Sequence, residues 1–323
     1  MNEICYEGLK LRHALMEEYK DKYLSKWKIL INSPSNGMWK YTFQSWEQVL
    51  EYMGVRTDIV YDALDIPDED GTPGEYDIYI SIADRQWMEV KPSVSCKIGI
   101  ASKQESLGLI KEFGYNFLIS SFSDDYVGFK WWVDNGIEIK SIPFGFNPLI
   151  YYPEEREKEY DYFFVGTNSP YKDLETKKYL LPIVDSYAGI LRGVGWGTTT
   201  LELDPIYASY YYNTAKINLN YHMQLQKDFE NEINERTFII SACGGFQLVD
   251  NPKILPKFYS LMDMAVAQDE KDYMDKFRYY LDKPKERHEM AYNALVTSYK
   301  NNYSLFSRLE DVIEKCISGG YIL

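Results

Sequence analysis

The chain is predicted to fold as two successive α/β domains, each a Rossmann-like parallel sheet flanked by helices. Three observations carry this prediction. Short apolar runs alternate with helical patterns from Trp27 onward, a charged and unpatterned stretch at Pro153–Tyr160 (PEEREKEY) interrupts them, and the alternation then restarts. With 323 residues, there is material for two domains with cores of their own.

The first half opens with an amphipathic helix over residues 1–27, its Leu9, Leu11, Leu15, Tyr19 and Tyr23 roughly on one side. Trp27–Ser33 (WKILINS) reads as a fully apolar strand, followed by a loop through Gly37 and a helix through Trp46, Val49, Leu50 and Met53 that stops at Gly54. Val55–Val60, Tyr76–Ile82, Lys97–Ala101, Asn116–Ser120 and Ile137–Ile142 are further strands. Ile66–Glu75 is an acidic loop bearing Pro and Gly. The second half gives strands at Tyr160–Val165, Ile190–Gly193 and Lys216–Asn220. Helices are expected at Leu174–Tyr187 and Ile206–Asn213, with one or two over 271–299 and an amphipathic one at Ser304–Cys316. Ligands of such sheets bind outside the carboxyl ends of the strands.

Composition narrows the class. A hydrophobic share of 45% with 26% charged residues is globular, and no apolar run reaches 18 residues, so no membrane span is expected. The N-terminus mixes charges throughout and has no signal-peptide core, and the four cysteines (Cys5, Cys96, Cys243, Cys316) show no metal spacing. A cytoplasmic protein with reduced thiols is the expectation. Net charge is −14 and both halves are acidic, which argues against general nucleic-acid binding and against an anionic membrane surface.

The most informative stretch is Asn234–Asp250, NERTFIISACGGFQLVD. A polar turn precedes a short helix, and a glycine pair then lets the backbone turn into a strand. Uncovered helix amides beside Arg236 suit a diphosphate, because both favour phosphate oxygens. An ordinary helix–glycine–strand connection reads the same way, and composition alone favours it.

The order of motifs changes that balance. YDYFFVGTNSPYKD, LRGVGWG, YNTAKINLNYH, NERTFIISACGGFQLVDN and YYLDKPKERHEMAYNA follow one another. Together they resemble the glycosyltransferases related to the spore maturation protein CgeB, a GT-B group that uses nucleotide-sugar donors. IEIKSIPFGFNPLIYYP resembles that group's interdomain crossover. The resemblance is strong over residues 140–300 and weak before about residue 75. It implies two Rossmann-like domains with an interdomain cleft: an acceptor-side domain at 1–153, a nucleotide-sugar domain at 154–303, and a helix at 304–323 returning to the first. It implies a UDP- or GDP-sugar donor, no metal, and a glycan, protein or other hydroxyl-bearing acceptor. Gly166, Thr167 and Asn168 would approach the donor phosphates. Arg236 would grip the diphosphate at the helix start formed by Asn234, Glu235 and Thr237, and Lys172 is a second candidate cation. Gly244 and Gly245 would allow close backbone approach. One departure stands out: the group's glutamate three residues before Ala-Cys-Gly is Ile239 here, and the one eight residues earlier falls at Asn231, between Glu230 and Glu232. Either Glu235 takes the donor ribose, or the nucleotide pocket differs.

Glycosyl transfer also needs a base if it inverts configuration; the resemblance alone leans towards retention. His222 follows the KINLN strand, and Asp84 and Asp125 (with Asp124) follow strands of the first half, where an acceptor-side base belongs. Each of these also reads as a packed histidine or a solvated or capping carboxylate. His13 and His288 read as surface residues. Asp68-Glu69-Asp70 has the form of a metal–nucleotide DxD motif, but its Pro/Gly loop reads as solvated. Tyr207, Tyr210, Tyr211, Tyr212, Trp131 and Trp132 could stack a sugar or base, though packing on the sheet is the commoner use. Two other functions stay open: an inactive nucleotide-sugar or glycan-binding module, suggested by Ile239, and a transferase acting on modified, phage-type DNA bases, against which the acidic balance argues.

Overall fold

A computed structural model describes residues 2–24, 26–62, 76–84, 94–101, 107–197 and 202–322. The Ile66–Glu75 loop, with Asp68, Glu69 and Asp70, lies outside the described residues except at its boundary with Tyr76. The chain divides into two compact units, Glu18–Pro143 with Leu305–Leu323, and Met1–Glu17 with Phe144–Ser304.

Helix α1 (Glu3–Tyr19) opens the chain. It stops short of residue 27 because Asp21 and Leu24 turn into left-handed backbone, at φ 52° and 40°. The unit containing Glu18–Pro143 then runs β1 (Lys28–Ser33), α2 (Gly37–Tyr52), β2 (Arg56–Tyr61), β3 (Ile78–Ile82) and β4 (Cys96–Ile100). It continues with α3 (Leu107–Phe113), β5 (Phe117–Ser120), α4 (Val127–Asp134) and β6 (Ile139–Ser141). All pairings are parallel, in the order β2-β1-β3-β4-β5-β6. Helices cover both faces of such a sheet, so its inner strands carry apolar runs without alternation. β3, IYISI, is buried along its whole length. Tyr79, Phe113, Leu118, Phe129 and Trp132 form much of the core on one face.

The other unit has β7 (Tyr160–Val165), a helical run over 170–184, β8 (Gly189–Arg192), α5 (Pro205–Thr214) and β9 (Ala215–Asn220). α6 (Glu235–Ala242), β10 (Gln247–Asp250), β11 (Ala265–Ala267), α7 (Glu270–Leu281) and α8 (Pro284–Lys300) complete it. Its five strands are also parallel, ordered β11-β10-β9-β7-β8. The helix expected at Leu174–Tyr187 runs without a break over Asp173–Val184, but widens to π turns at Thr176–Leu180, ahead of Pro182, which offers no amide to the turn before it. Residues 2–17 belong to this unit: Arg12 Nε donates to Pro148 O at 2.6 Å, and its guanidinium lies 4.3 Å from the Tyr152 ring.

The final helix, α9 (Leu305–Ser318), belongs to the first-described unit. Leu305, Phe306, Leu309, Val312, Ile313 and Cys316 make one apolar stripe and are buried. Phe306 stacks on Tyr19 at 4.9 Å, Tyr19 Oη donates to Glu310 at 2.7 Å, and Cys316 Sγ lies 3.7 Å from Cys96 Sγ.

Gly244 ends α6 with φ +65°, and a Cβ there would come within 2.3 Å of Ile4 on α1. A Cβ on Gly245 would meet Asn218 Nδ2 at 2.6 Å. Both glycines therefore serve close packing at the amino end of β10. Gly244→Ala is expected to destabilise the fold by about 1–3 kcal/mol, from left-handed strain plus the clash. Urea unfolding would read this as a lower midpoint, with ligand affinity of the native protein unchanged.

Candidate functional site

β7 and β9 are neighbours, yet the chain leaves them in opposite directions, from β7 towards β8 and from β9 towards β10. The connections part there and leave a crevice outside the carboxyl ends of the two strands. Val165, Asn220 and the first turn of α6 meet at this point. Asn234 caps α6: its Oδ1 accepts from Thr237 N at 3.3 Å and from Thr237 Oγ1 at 3.2 Å. Its Nδ2 donates to Asn220 Oδ1 at 2.8 Å and to Tyr221 O at 3.0 Å. Asn220, wholly buried, donates to Thr237 Oγ1 at 2.9 Å and to Gln247 Oε1 at 2.6 Å.

Arg236 is fixed by this network. Nε donates to Asn220 Oδ1 at 3.2 Å, Nη1 to Val165 O at 3.0 Å and Nη2 to Tyr221 O at 3.2 Å. Its guanidinium sits 4.8 Å from the Phe164 ring, which stacks on Tyr221 at 5.2 Å. Every hydrogen-bond acceptor is neutral. A guanidinium has five N–H donors, so two remain for another partner.

Lys172 lies half-buried near it. Burial and then the neighbouring Arg236 charge push its amine down to about 8. Among the described residues its side chain makes no ion pair or hydrogen bond. Two cations that repel each other, with no anion hydrogen-bonded to either among the described residues, form an arrangement that a bound anion would stabilise. Glu235, beside Arg236 in the first turn, is half-buried and has no hydrogen-bond partner among the described residues. Burial pushes its carboxyl up to about 7, with Arg236 pulling the other way.

The loop after β7 is braced by the loop after β8. A Cβ on Gly166 would lie 2.9 Å from Arg236 Nη1, so this glycine lets the guanidinium reach the strand end. Trp196 Nε1 donates to Gly166 O at 2.6 Å, and Asn168 donates through N to Val194 O at 2.8 Å and through Nδ2 to Gly195 O at 3.0 Å. Gly193 approaches so closely that a Cβ would be 2.3 Å from Gly166 O. Thr167 is exposed between these anchors.

Other expected residues are placed elsewhere or already engaged. His222 is wholly buried: Nδ1 lies 2.7 Å from Asp250 Oδ1, and Nε2 is buried as well. No ring atom reaches solvent, so the expectation that His222 acts directly as a base is corrected. Burial pushes the Asp250 carboxyl up, but His222, Lys227 and the His222 amide outweigh it and hold the group below the usual carboxylate range. Thr237 is also buried, its hydroxyl taken by Asn234 and Asn220, so it supports the helix start and is not a ligand group. Gly244 and Gly245 lie at the far end of α6, about 12 Å along the helix from Arg236, and are not brought to the site. Asp84 is half-buried just past β3, beside the point where the order of its own sheet reverses between β1 and β3, and Asp125 is exposed ahead of α4. Asn220, Tyr221, Trp196, Gly193 and Asp250 were not singled out from the sequence. The polar ends of KINLN and QLVD and the glycines of LRGVGWG were the available signals.

Comparison with known proteins supports the resemblance. Residues 184–314 match a family described as glycosyl transferase-like. Spore protein CgeB of Bacillus subtilis (strain 168) is 32% identical over 111 residues; the match covers 32% of this chain and about a third of that protein. Among solved structures, T4 phage β-glucosyltransferase in complex with its UDP-glucose substrate aligns at a TM-score of 0.63 and 12% identity, over 90% of this chain and 99% of that one. Sucrose-phosphate synthase from Thermosynechococcus elongatus aligns at 0.59 and 12%, with the same coverage. Anabaena HepE in complex with UDP and glucose aligns at 0.55 and 10%, over 90% and 100%. The fold is therefore the GT-B fold of two Rossmann-like domains, and over residues 184–314 the chain is glycosyl transferase-like, as its resemblance to the CgeB group implied.

Proposed function

We propose that this protein is a glycosyltransferase that moves a sugar from a nucleotide diphosphate donor to an acceptor hydroxyl. The observation that carries the reading is the pair Lys172 and Arg236 at the start of α6, at the order reversal of a parallel sheet. When the bond from sugar to phosphate breaks, negative charge grows on the departing diphosphate. Arg236, held by its three hydrogen bonds, Lys172 and the first α6 amides are the groups we assign to stabilise that charge, and Arg236 need not reorganise during the step. These groups can supply what a divalent ion supplies in other transferases, so we propose a metal-independent reaction.

The donor we favour is a UDP-sugar, since the structurally similar T4 enzyme and HepE are both described with UDP or UDP-glucose. Glu235, which has no hydrogen-bond partner among the described residues, is proposed to accept from the ribose hydroxyls in place of the glutamate that Ile239 replaces. Thr167 and the Gly166 backbone are proposed to line the phosphates. On the acceptor side, Asp84 is the carboxylate we assign as base. A net charge of −14 favours a glycan, protein or small hydroxyl compound over duplex DNA as acceptor.

Thermal shift and calorimetric titration with UDP, GDP and their sugars test the donor site, because a ligand of the native state raises the melting temperature. UDP is expected to stabilise the wild type. Arg236→Ala is expected to weaken UDP binding by about 10- to 100-fold, the worth of charge-assisted hydrogen bonds. Absence of any nucleotide effect at millimolar concentration would refute the donor site. UDP-sugar binding without hydrolysis or transfer, across a broad acceptor screen, would identify an inactive binding module instead.

The amine of Lys172 gives a pH signature. With its titration lowered to about 8, it is charged in the free protein below that pH and neutral above it. A bound diphosphate restores the charge, so binding takes up a proton above pH 8. UDP affinity should therefore fall as pH rises from about 8 to about 9.5, by up to about tenfold per pH unit. Lys172→Met should bind more weakly at pH 7 and lose this slope. An unchanged slope in the variant would exclude Lys172 from the site.

A further inference from the structure

β10 ends on Asp250, a carboxylate only 1% exposed. Its two oxygens accept from the backbone N–H of His222 at 3.2 and 3.1 Å. Oδ1 also takes the His222 ring at 2.7 Å, and Lys227 Nζ lies 3.2 Å from Oδ2. This buried carboxylate thus grips a backbone amide with both oxygens, its charge matched by a lysine. That amide is half of one peptide group, whose other half is the Tyr221 carbonyl. The peptide plane is rigid, so fixing the N–H fixes the C=O that points the opposite way. The Tyr221 carbonyl accepts from Arg236 Nη2 at 3.2 Å and from the helix cap Asn234 Nδ2 at 3.0 Å. A carboxylate on the N–H end also draws electron density towards the oxygen of the same peptide, which strengthens it as an acceptor.

We infer that Asp250 is a positioning residue for the anion site: through the peptide between Tyr221 and His222 it sets the placement of Arg236 and of the α6 cap. This inference rests on the donor-site reading above. It assigns the buried His222–Asp250 pair, with the half-buried Lys227, a purpose other than acid–base chemistry. His222 holds the carboxylate in orientation, Lys227 balances its charge, and neither needs to touch a substrate. The same logic explains why β10 terminates on a buried carboxylate.

A double-mutant cycle tests it, with UDP as the probe and calorimetric dissociation constants as the readout. Asp250→Asn, which keeps the shape but removes the charge, is expected to weaken UDP binding about five- to twentyfold in the wild-type background. In the Arg236→Ala background its effect is expected to shrink to less than about twofold, because the main group through which it acts is gone and only the α6 cap remains. Equal losses in both backgrounds would mark Asp250 as merely structural and overturn the inference. So would unchanged binding by Asp250→Asn, provided Arg236→Ala is impaired. If Arg236→Ala binds UDP as well as the wild type, the donor-site reading itself fails and takes this inference with it. Should Asp250→Asn not fold, amide hydrogen exchange of the wild type decides. Coupling is reciprocal, so saturating UDP should slow exchange at the His222 amide at least tenfold, and an unchanged rate would overturn the inference.

Discussion

Arg236 is held by three neutral oxygens, and the rest of the site follows from that choice of partners. A carboxylate would have neutralised the guanidinium and left a buried ion pair with nothing to offer an anion. Carbonyls and an amide side chain orient it just as firmly while leaving its charge uncompensated. The two strands that supply these oxygens are the pair at which the order of the sheet reverses, so topology and electrostatics converge on one spot. Phe164 and Tyr221 face the cation with their rings, which offsets part of its desolvation without cancelling its charge.

Holding an arginine in this way requires a polar layer beneath it. Asn220 serves Arg236, Asn234, Thr237 and Gln247 at once, and Tyr273 Oη meets the backbone oxygens of Asn220 and Leu248 at 3.1 and 3.2 Å. Such a layer is costly if any member is left unpaired, so it fixes one arrangement and resists substitution piecemeal. The glycines of the GVGWG turn make a comparable contribution from the other side. Gly193 and Gly195 let two loops lie backbone to backbone, and Trp196 pins one to the other.

Much of the architecture was legible in the sequence because parallel strands buried on both faces appear as uninterrupted apolar runs. IYISI and FLIS were plain for that reason. β11 was missed because Ala265–Ala267 is three residues long and has neither bulk nor periodicity to mark it. The helix at 174–187 was legible from its apolar spacing, but its π turns at Thr176–Leu180 were not, since they depend on how the backbone accommodates Pro182. Of the site, Arg236, Lys172 and Gly166 could be read, since cations and a glycine at strand and helix ends are local signals. His222 was read as a base because the strand end was right, but its burial depends on Asp250, 28 residues away, which no local pattern reveals. Gly244 and Gly245 were legible as a sharp turn; that the turn packs on Ile4 is a tertiary fact.

The two ends of the chain are exchanged between the units. Residues 2–17 join the strands made last, and α9 joins the sheet made first. During vectorial synthesis, the six-stranded sheet therefore leaves the ribosome with the ground under α9 bare, including Cys96 and the edge of α2. That sheet must wait for some 160 residues of a different unit before its last apolar stripe arrives. Its final consolidation thus waits until α9 has been made, and a nascent chain stalled anywhere between residues 144 and 304 would present that uncovered face to chaperones.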